Sequence, residues 1–281
     1  MKLSIIILNY NTKELTINCV KSIIKNTKNL DYEIIVVDNG SSEKLNKSSD
    51  YILVTNETNL GFAGGNNSAY KFAKGEYILF LNSDTEVYKE TLKKSVEYLE
   101  KNKKIGALTC KTILPSGKLD KDARRSFPTP WVALTHFSGI DRIFPKSKIF
   151  AKYWYGYKSA DLVQEIDSLQ GAYFLTRKKI LDKVGWFSED YFLDGEDIDL
   201  SWKIKEAGYE NIYYPEVSIL HIKKASKKKR SLRSVMAGMN SMEIFYKKYL
   251  WERYPLLLNM IVIITIHILK SIRLVKTILK I

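Results

Sequence analysis

Tyr77-Ile78-Leu79-Phe80-Leu81-Asn82-Ser83-Asp84-Thr85 is the stretch on which the fold turns. Five apolar residues run without a charge, behind Gly75, and small polar residues ending in a carboxylate follow. A short apolar run with such boundaries predicts a strand buried on both faces. Open α/β sheets place ligands just outside the carboxyl ends of such strands. Asp84 there suits a divalent cation shared with substrate phosphates, or alternatively the N-cap of a following helix.

Outward from that strand, the chain alternates. Lys2 to Leu8 predicts a buried strand, broken by Asn9-Tyr10-Asn11-Thr12. Thr12 is placed to cap a helix whose apolar positions are Leu15, Cys19 and Ile23. Tyr32 to Val37 predicts a second strand, ending at Asp38-Asn39-Gly40, and Tyr51 to Thr55 a third. Asn59-Leu60-Gly61-Phe62-Ala63-Gly64-Gly65-Asn66-Asn67 opens a helix expected to run through Ala73. This glycine loop has neither the P-loop ending nor GxGxxG spacing, so it marks close backbone approach to a ligand or to a strand. Strand and helix in alternation predict a mostly parallel, doubly wound sheet.

Beyond a helix over about Lys89 to Lys101 and a strand from Ile105 to Ile113, the pattern dissolves between Asp120 and Leu162. Prolines 128, 130 and 145, many aromatics and the pair Arg124-Arg125 occur there without a clean period. A long irregular stretch inside a domain suits a functional loop or lid. Regular structure is expected again from Gln164 to Thr176. Four carboxylates then fall within six residues, Asp194, Glu196, Asp197 and Asp199, at the start of a helix ended by Gly208. Acids complement a helix N-terminus, yet four exceed what a cap requires, and crowding raises carboxyl pKa values as in a general base or metal site. Tyr213-Tyr214-Pro215-Glu216-Val217 leads on to His221.

The formal charge of +14 is unevenly placed. From His221 onward there are 14 Lys and Arg against Glu243 and Glu252, so the body is nearly neutral and the tail strongly basic. That suits an anionic surface and says little of the fold. Cys19 and Cys110 show no metal spacing and read as buried free thiols in a reducing compartment. The N-terminus enters a strand at once with no apolar leader pattern, so a cytosolic body is expected.

Together and in this order, these pieces resemble the family 2 glycosyltransferases of the GT-A fold, especially their rhamnosyltransferase-like branch, over about residues 3–222. The resemblance implies a Rossmann-like GT-A domain over about residues 1–225 and an inverting transfer from a nucleotide-sugar, dTDP-rhamnose or a UDP-sugar. It implies that Asn9, Tyr10 and Asn11 flank the donor's base, that Asp38 contacts the nucleoside, and that Asn59, Gly61, Gly64 and Asn66 line the donor pocket. The family's metal-binding Asp-x-Asp falls on Asn82-Ser83-Asp84, with His221 completing a Mn²⁺ or Mg²⁺ site. Gly171 and Arg125 fall on the acceptor side, and Glu196-Asp197 matches the catalytic pair, Asp197 being the base. Asn82 departs from the motif: it offers a neutral carbonyl where Asp offers a charge, so weaker metal binding is expected. A nucleotidyltransferase, which would need a Lys/Arg-rich activating loop near Asn9 to Thr12, and a catalytically silent membrane scaffold are the alternatives.

The tail from 226 to 281 begins in the basic run Lys223 to Arg230. Val235 to Tyr254 has the spacing of a packed helix. Leu256 to Leu269 is 14 residues without a charge, short of the roughly 20 that span a bilayer. Lys270, Arg273, Lys276 and Lys280 then form a basic helical face. An amphipathic helix on an anionic leaflet is expected, peripheral at the cytoplasmic face of the plasma membrane. A coiled contact in a homo-oligomer is the alternative. The partners expected are the donor, a lipid-linked or polysaccharide acceptor and the membrane surface; nucleic acid is not, since the tail lacks aromatics interleaved with its charges for stacking.

Overall fold

A computed structural model describes residues 1–223 and 232–279. The basic run Lys224 to Arg230, the expected domain boundary at 225/226 and Lys280 lie outside the described residues.

The strands are β1 (Leu3–Asn9), β2 (Tyr32–Asn39), β3 (Ile52–Asn56), β4 (Tyr77–Asn82), β5 (Thr85–Val87), β6 (Ile105–Ile113), β7 (Arg124–Arg125), β8 (Gln164–Ile166), β9 (Ser168–Leu169), β10 (Tyr173–Arg177) and β11 (Glu210–His221). The main sheet runs β3-β2-β1-β4-β10-β6-β11-β5, with β8 on β11. β3 through β4 are parallel, as are β6 and β11, while β10 enters antiparallel between β4 and β6. The expected α/β architecture is therefore present, with a mostly parallel sheet interrupted inside by reversed β10 and flanked by β5 and β8, both antiparallel to β11.

Burial on both faces follows the two-residue period of a strand. Ile5, Ile7, Leu79 and Leu81 pack with Cys19, Val20 and Ile23 of α1 (Lys13–Asn26) and with Leu92, Val96 and Leu99 of α3 (Thr91–Lys101). Their neighbours Ile6, Ile78 and Phe80 point the other way. They meet Ala63 of α2 (Gly61–Asn67), Ile180 and Leu181 of α6 (Lys178–Val184), and Leu200 and Ile204 of α7 (Glu196–Glu206). Cys19 and Cys110 are buried and free, as expected.

Pairing brings the chemistry to one edge. Leu8 lies opposite Asn82 where β1 and β4 end. Reversed β10 carries Gly171 and Ala172 alongside, with the Asn82 amide donating to Ala172 O at 3.2 Å. β11 pairs with β5 so that His221 faces Thr85, and the Ile222 amide donates to Asp84 O at 2.8 Å.

Three local expectations differ. α2 ends at Asn67 and continues only as turns toward Ala73. Thr12 makes no side-chain cap on α1, because its hydroxyl donates to Asn9 Oδ1 at 3.1 Å and pairs with Ser83 Oγ at 3.0 Å. The irregular stretch is partly built: β7 pairs with β9, and α4 (Pro130–Phe137) and α5 (Ile140–Ile143) follow. α4 hid from periodicity because Trp131, Leu134 and Phe137 face outward and not toward the core.

The tail is a helical hairpin. A strap helix (Leu232–Phe245) continues as a π-helical turn (Tyr246–Leu250), and a C-terminal helix (Leu256–Leu279) returns along it. Phe245, Tyr246 and Leu250 form a third core with Tyr191 and Trp202 of the body. Asp199, wholly buried, accepts from Lys248 Nζ at 2.9 Å and Tyr249 OH at 2.7 Å. Residues 232–254 are thus tied to the helix that begins with Glu196-Asp197.

Candidate active site

At the carboxyl ends of β1 and β4 lies an open cleft of about 580 Å³. Its walls include Tyr10, Asn59, Gly61, Asn82, Asp84, Arg125, Gly171, Glu196, Asp197 and His221. Residues spread from position 10 to 221 thus share one wall.

Other expected donor residues stand behind it. Asn9 is buried; its carbonyl accepts from Thr12 and Thr16, and its amide donates to Ser41 Oγ at 3.0 Å. Asp38 accepts from the amides of Ser41 and Leu45. Asn11 accepts from Ser42. Gly64 lies on the buried face of α2, while Asn66 donates to Phe62 O at 2.8 Å. As oriented, these five side chains and backbones shape the loops and do not line the cleft.

Asn39, which sequence reading passed over, organises the glycine loop. Its Nδ2 donates to Asn59 Oδ1 at 3.1 Å and Gly61 O at 2.9 Å, and its Oδ1 accepts from Asn56 and Leu60. Gly61 has φ +79°, and a Cβ there would lie 2.3 Å from Phe192 O. Only glycine lets this loop touch the segment that leads into α7.

Asp197 sits at the first turn of α7. Its Oδ2 accepts from Arg125 Nη2 at 2.7 Å and from the Gly171 amide at 3.0 Å. One oxygen holds both donors, which leaves Oδ1 for the cleft. Burial alone would lower the Arg125 pKa, but the adjoining Asp197 charge and hydrogen bond hold it above its ordinary value. Glu196 is buried with Oε2 lacking a hydrogen-bond partner. Burial first, then the charges of Asp197 and Asp194, raise its carboxyl well above the usual range. The pair is unequal: burial disfavours the charged form of Glu196, while Asp197 is anchored by two donors.

Across the cleft, His221 Nε2 lies 3.2 Å from Asp84 Oδ1 and its Nδ1 lies 3.2 Å from Asp120 Oδ2. Lys223 Nζ lies 2.9 Å from the Asp120 carboxylate and 3.2 Å from Asp122 Oδ2. Burial alone would raise the Asp120 pKa, yet the hydrogen bonds from His221 and Lys223 pull it down to about 2. Burial opposes charge on His221, but its two carboxylate partners raise it above the ordinary histidine value.

Asp84 and His221 are the side chains of this corner that could hold a divalent ion. Among the described residues no three His, Cys, Asp or Glu side chains converge as a ready-made cage. Instead Asp84 Oδ1 and His221 Nε2 lie 3.2 Å apart, and Asp120 on Nδ1 stands where an outer carboxylate would orient a ligating imidazole. Two protein donors suit an ion that takes its remaining oxygens from water and substrate phosphates.

The network has a pH signature in the metal-free protein. Asp120, with its folded pKa lowered, contributes stability above about pH 4 that is lost as pH falls toward 2. His221, with its folded pKa raised, contributes below about 6.5 and loses that contribution as pH rises through its folded value. Asp120→Asn is therefore expected to cost about 2 kcal/mol at pH 5–6 and almost nothing at pH 2. Urea unfolding in EDTA across this range measures it. A difference that stayed constant with pH would assign Asp120 a packing role.

A family model described as "Glycosyl transferase family 2" matches residues 4–185. The chain is 28% identical over 225 residues to poly-beta-1,6-N-acetyl-D-glucosamine synthase of Staphylococcus epidermidis, covering 73% of this chain and 46% of that protein. It is 37% identical over 112 residues to poly(ribitol-phosphate) beta-glucosyltransferase of Bacillus spizizenii, covering 36% of this chain and 18% of that one. The chain thus spans about half the length, or less, of these curated relatives. Among solved structures, the mannosyltransferase PcManGT of Pyrobaculum calidifontis with GDP-Man and Mn²⁺ matches with a TM-score of 0.57 and 19% identity, over 88% of this chain and 63% of that one. TarS 1-349 of S. aureus matches with a TM-score of 0.54 and 18% identity, over 86% and 65%. These structural likenesses establish the fold. The matched family region stops before Glu196, Asp197 and His221, so their grouping rests on the geometry above.

Proposed function

Because the chain belongs to glycosyl transferase family 2, we propose that it moves a sugar, with inversion, from a nucleotide-sugar to a lipid-linked or polysaccharide acceptor of the cell envelope. The observation that carries this reading is the placing of Asp197, gripped by Arg125 and Gly171, in the same cleft as Asp84 and His221. Asp197 removes the acceptor hydroxyl's proton as the oxygen attacks the anomeric carbon. Glu196, whose charged form burial disfavours, lines the cleft beside that base and faces the sugar or acceptor. Asp84 and His221 would hold a Mn²⁺ or Mg²⁺ ion, which when bound offsets charge on the departing nucleoside diphosphate. Tyr10, Asn59, Gly61 and Asn82 line the donor side, while Asn9, Asn11, Asp38, Asn39, Gly64 and Asn66 fix the loops that shape it.

The donor reading, dTDP-rhamnose or a UDP-sugar, and the rhamnosyltransferase-like branch belong to the same proposal. Complexes of the solved relatives with UDP-GlcNAc and with GDP-Man support a nucleotide-sugar and leave the sugar open. The same proposal puts the body at the cytoplasmic face of the plasma membrane, held peripherally by the C-terminal helix, a reading supported by that helix's exposed apolar stripe. A screen of UDP-, GDP- and dTDP-sugars for donor hydrolysis with Mn²⁺ or Mg²⁺ tests the reaction class. Turnover of none, by protein that binds no nucleotide, rejects it in favour of a silent scaffold.

Two substitutions test the metal corner. Asp84→Ala is expected to weaken metal-dependent nucleotide affinity about tenfold or more, read by calorimetry with and without Mn²⁺. Asn82→Asp adds a charge beside it and is expected to tighten the ion a few-fold. Nucleotide affinity indifferent to metal and to both changes would dismiss the corner as an ion site.

A further inference from the structure

α4 and α5 expose an apolar surface for which the fold has no use. Trp131, Leu134 and Phe137 stand along one side of α4, and Ile143, Phe144 and Ile149 follow, each between 43% and 70% exposed. Trp131 is not loose: its indole donates to Ile149 O at 3.1 Å and its ring packs against Phe150. Around these side chains stand the exposed cations Arg142, Lys146, Lys148 and Lys152. The one acid between residues 130 and 152, Asp141, is buried and paired with His136 at 2.7 Å. Within this segment the exposed surface is therefore apolar, and its exposed charges are all cationic.

It also adjoins the tail. Phe127 stacks on Phe245 of the strap helix, and the Arg273 guanidinium of the C-terminal helix lies 5.8 Å from the Phe137 ring. That helix exposes Leu257, Ile261, Ile264, Ile268, Ile272 and Val275 along its length.

We propose that the α4–α5 segment is a second lipid-contacting element, continuous with the C-terminal helix, through which the protein rests on an anionic bilayer. The inference rests on the membrane-surface reading of that helix. Apolar side chains enter the boundary region of the leaflet while the four cations meet anionic headgroups. A second copy of this chain fits poorly, since self-pairing through this face would press like charges together. The segment begins five residues after Arg125, the grip on Asp197, so a bilayer here lies beside the proposed acceptor end of the cleft. A lipid-linked acceptor would then approach the base from the surface on which the enzyme sits.

The test uses the full chain and vesicles of phosphatidylcholine with or without phosphatidylglycerol. Ile143→Ser, Phe144→Ser and Ile149→Ser are combined; all three side chains are exposed, so the fold is expected to persist, checked by thermal unfolding and by unchanged donor hydrolysis. Affinity for the anionic vesicles is expected to drop by about tenfold or more, with oligomeric state unchanged. Arg142→Gln with Lys146→Gln and Lys148→Gln is expected to lose the preference for anionic over neutral vesicles. Wild-type binding retained by the serine variant would overturn the second contact alone. No vesicle binding by the wild type would overturn the membrane reading beneath it. A serine variant that instead changed oligomeric state while still binding vesicles would hand the surface to a second copy.

Discussion

Asp197→Asn is expected to slow glycosyl transfer by about a thousandfold while nucleotide-sugar affinity shifts by less than about threefold. The amide keeps the side chain's shape, and its carbonyl oxygen can still accept from Arg125 and Gly171, as Oδ2 does now. What it loses is the lone pair proposed to take the acceptor's proton and the charge that balances Arg125. The second loss has its own cost, because the two side chains are only 12% and 10% exposed. Removing one partner of a mostly buried pair destabilises by about 3 kcal/mol. Rates must therefore be measured below the variant's melting point, with unfolding followed alongside. Rate and donor affinity falling together would remove Asp197 as the base and make it a structural anchor for Arg125.

That pair also marks where sequence reading reaches and where it stops. β4 was legible because both its faces are buried, so its hydrophobic run needs no partner to be recognised. Glu196-Asp197 was legible because crowded acids at a helix start are locally anomalous. The supports are not local. Arg125 is 72 residues from Asp197, and Asp120 is 101 from His221. Each sits in a stretch with no period, and only the reversal of β10 and the pairing of β11 with β5 bring them to the cleft. Asn39 followed a strand like any turn residue, and its three hydrogen bonds to the glycine loop and one to Asn56 of β3 depend on β2 and β3 lying side by side. Asn9 and Asp38 show the converse limit: motif position put them at the donor, and the structure turns their polar atoms into the loops.

The tail separates two roles that its sequence runs together. A chain ending at Pro255 is expected to stay folded and bind nucleotide within about threefold of the full protein, while binding anionic vesicles more weakly. A chain ending at Ser231 is expected to lose the fold around α7. It gives up Phe245, Tyr246 and Leu250 from the third core, at about 1.5–3 kcal/mol for each buried side chain, a sum near the whole stability of a domain. It also removes Ser241, whose hydroxyl donates to Leu193 O and whose Cβ would lie 3.0 Å from one at Gly195, just ahead of Glu196 and Asp197. Equal melting temperatures for the two chains would make the strap a bystander.

On the proposed membrane reading, the same hairpin decides how the C-terminal helix would meet lipid. At 24 residues it is about 36 Å long, enough to cross a bilayer. To do so, however, it would have to leave the body. Asn259, now bonded to Tyr246 OH and to the carbonyls of Trp251 and Tyr254, would enter hydrocarbon, and Lys270 would leave Asn240. Lying flat keeps each of these partners and still offers the outer apolar stripe to the leaflet. Carbonate is therefore expected to strip the intact protein from membranes, and neutralising Lys270, Arg273 and Lys276 to weaken vesicle binding by about 1 kcal/mol per charge, an effect high salt should mimic. Full retention in the pellet after carbonate would mean that the helix abandons Asn240 and the strap and crosses the bilayer.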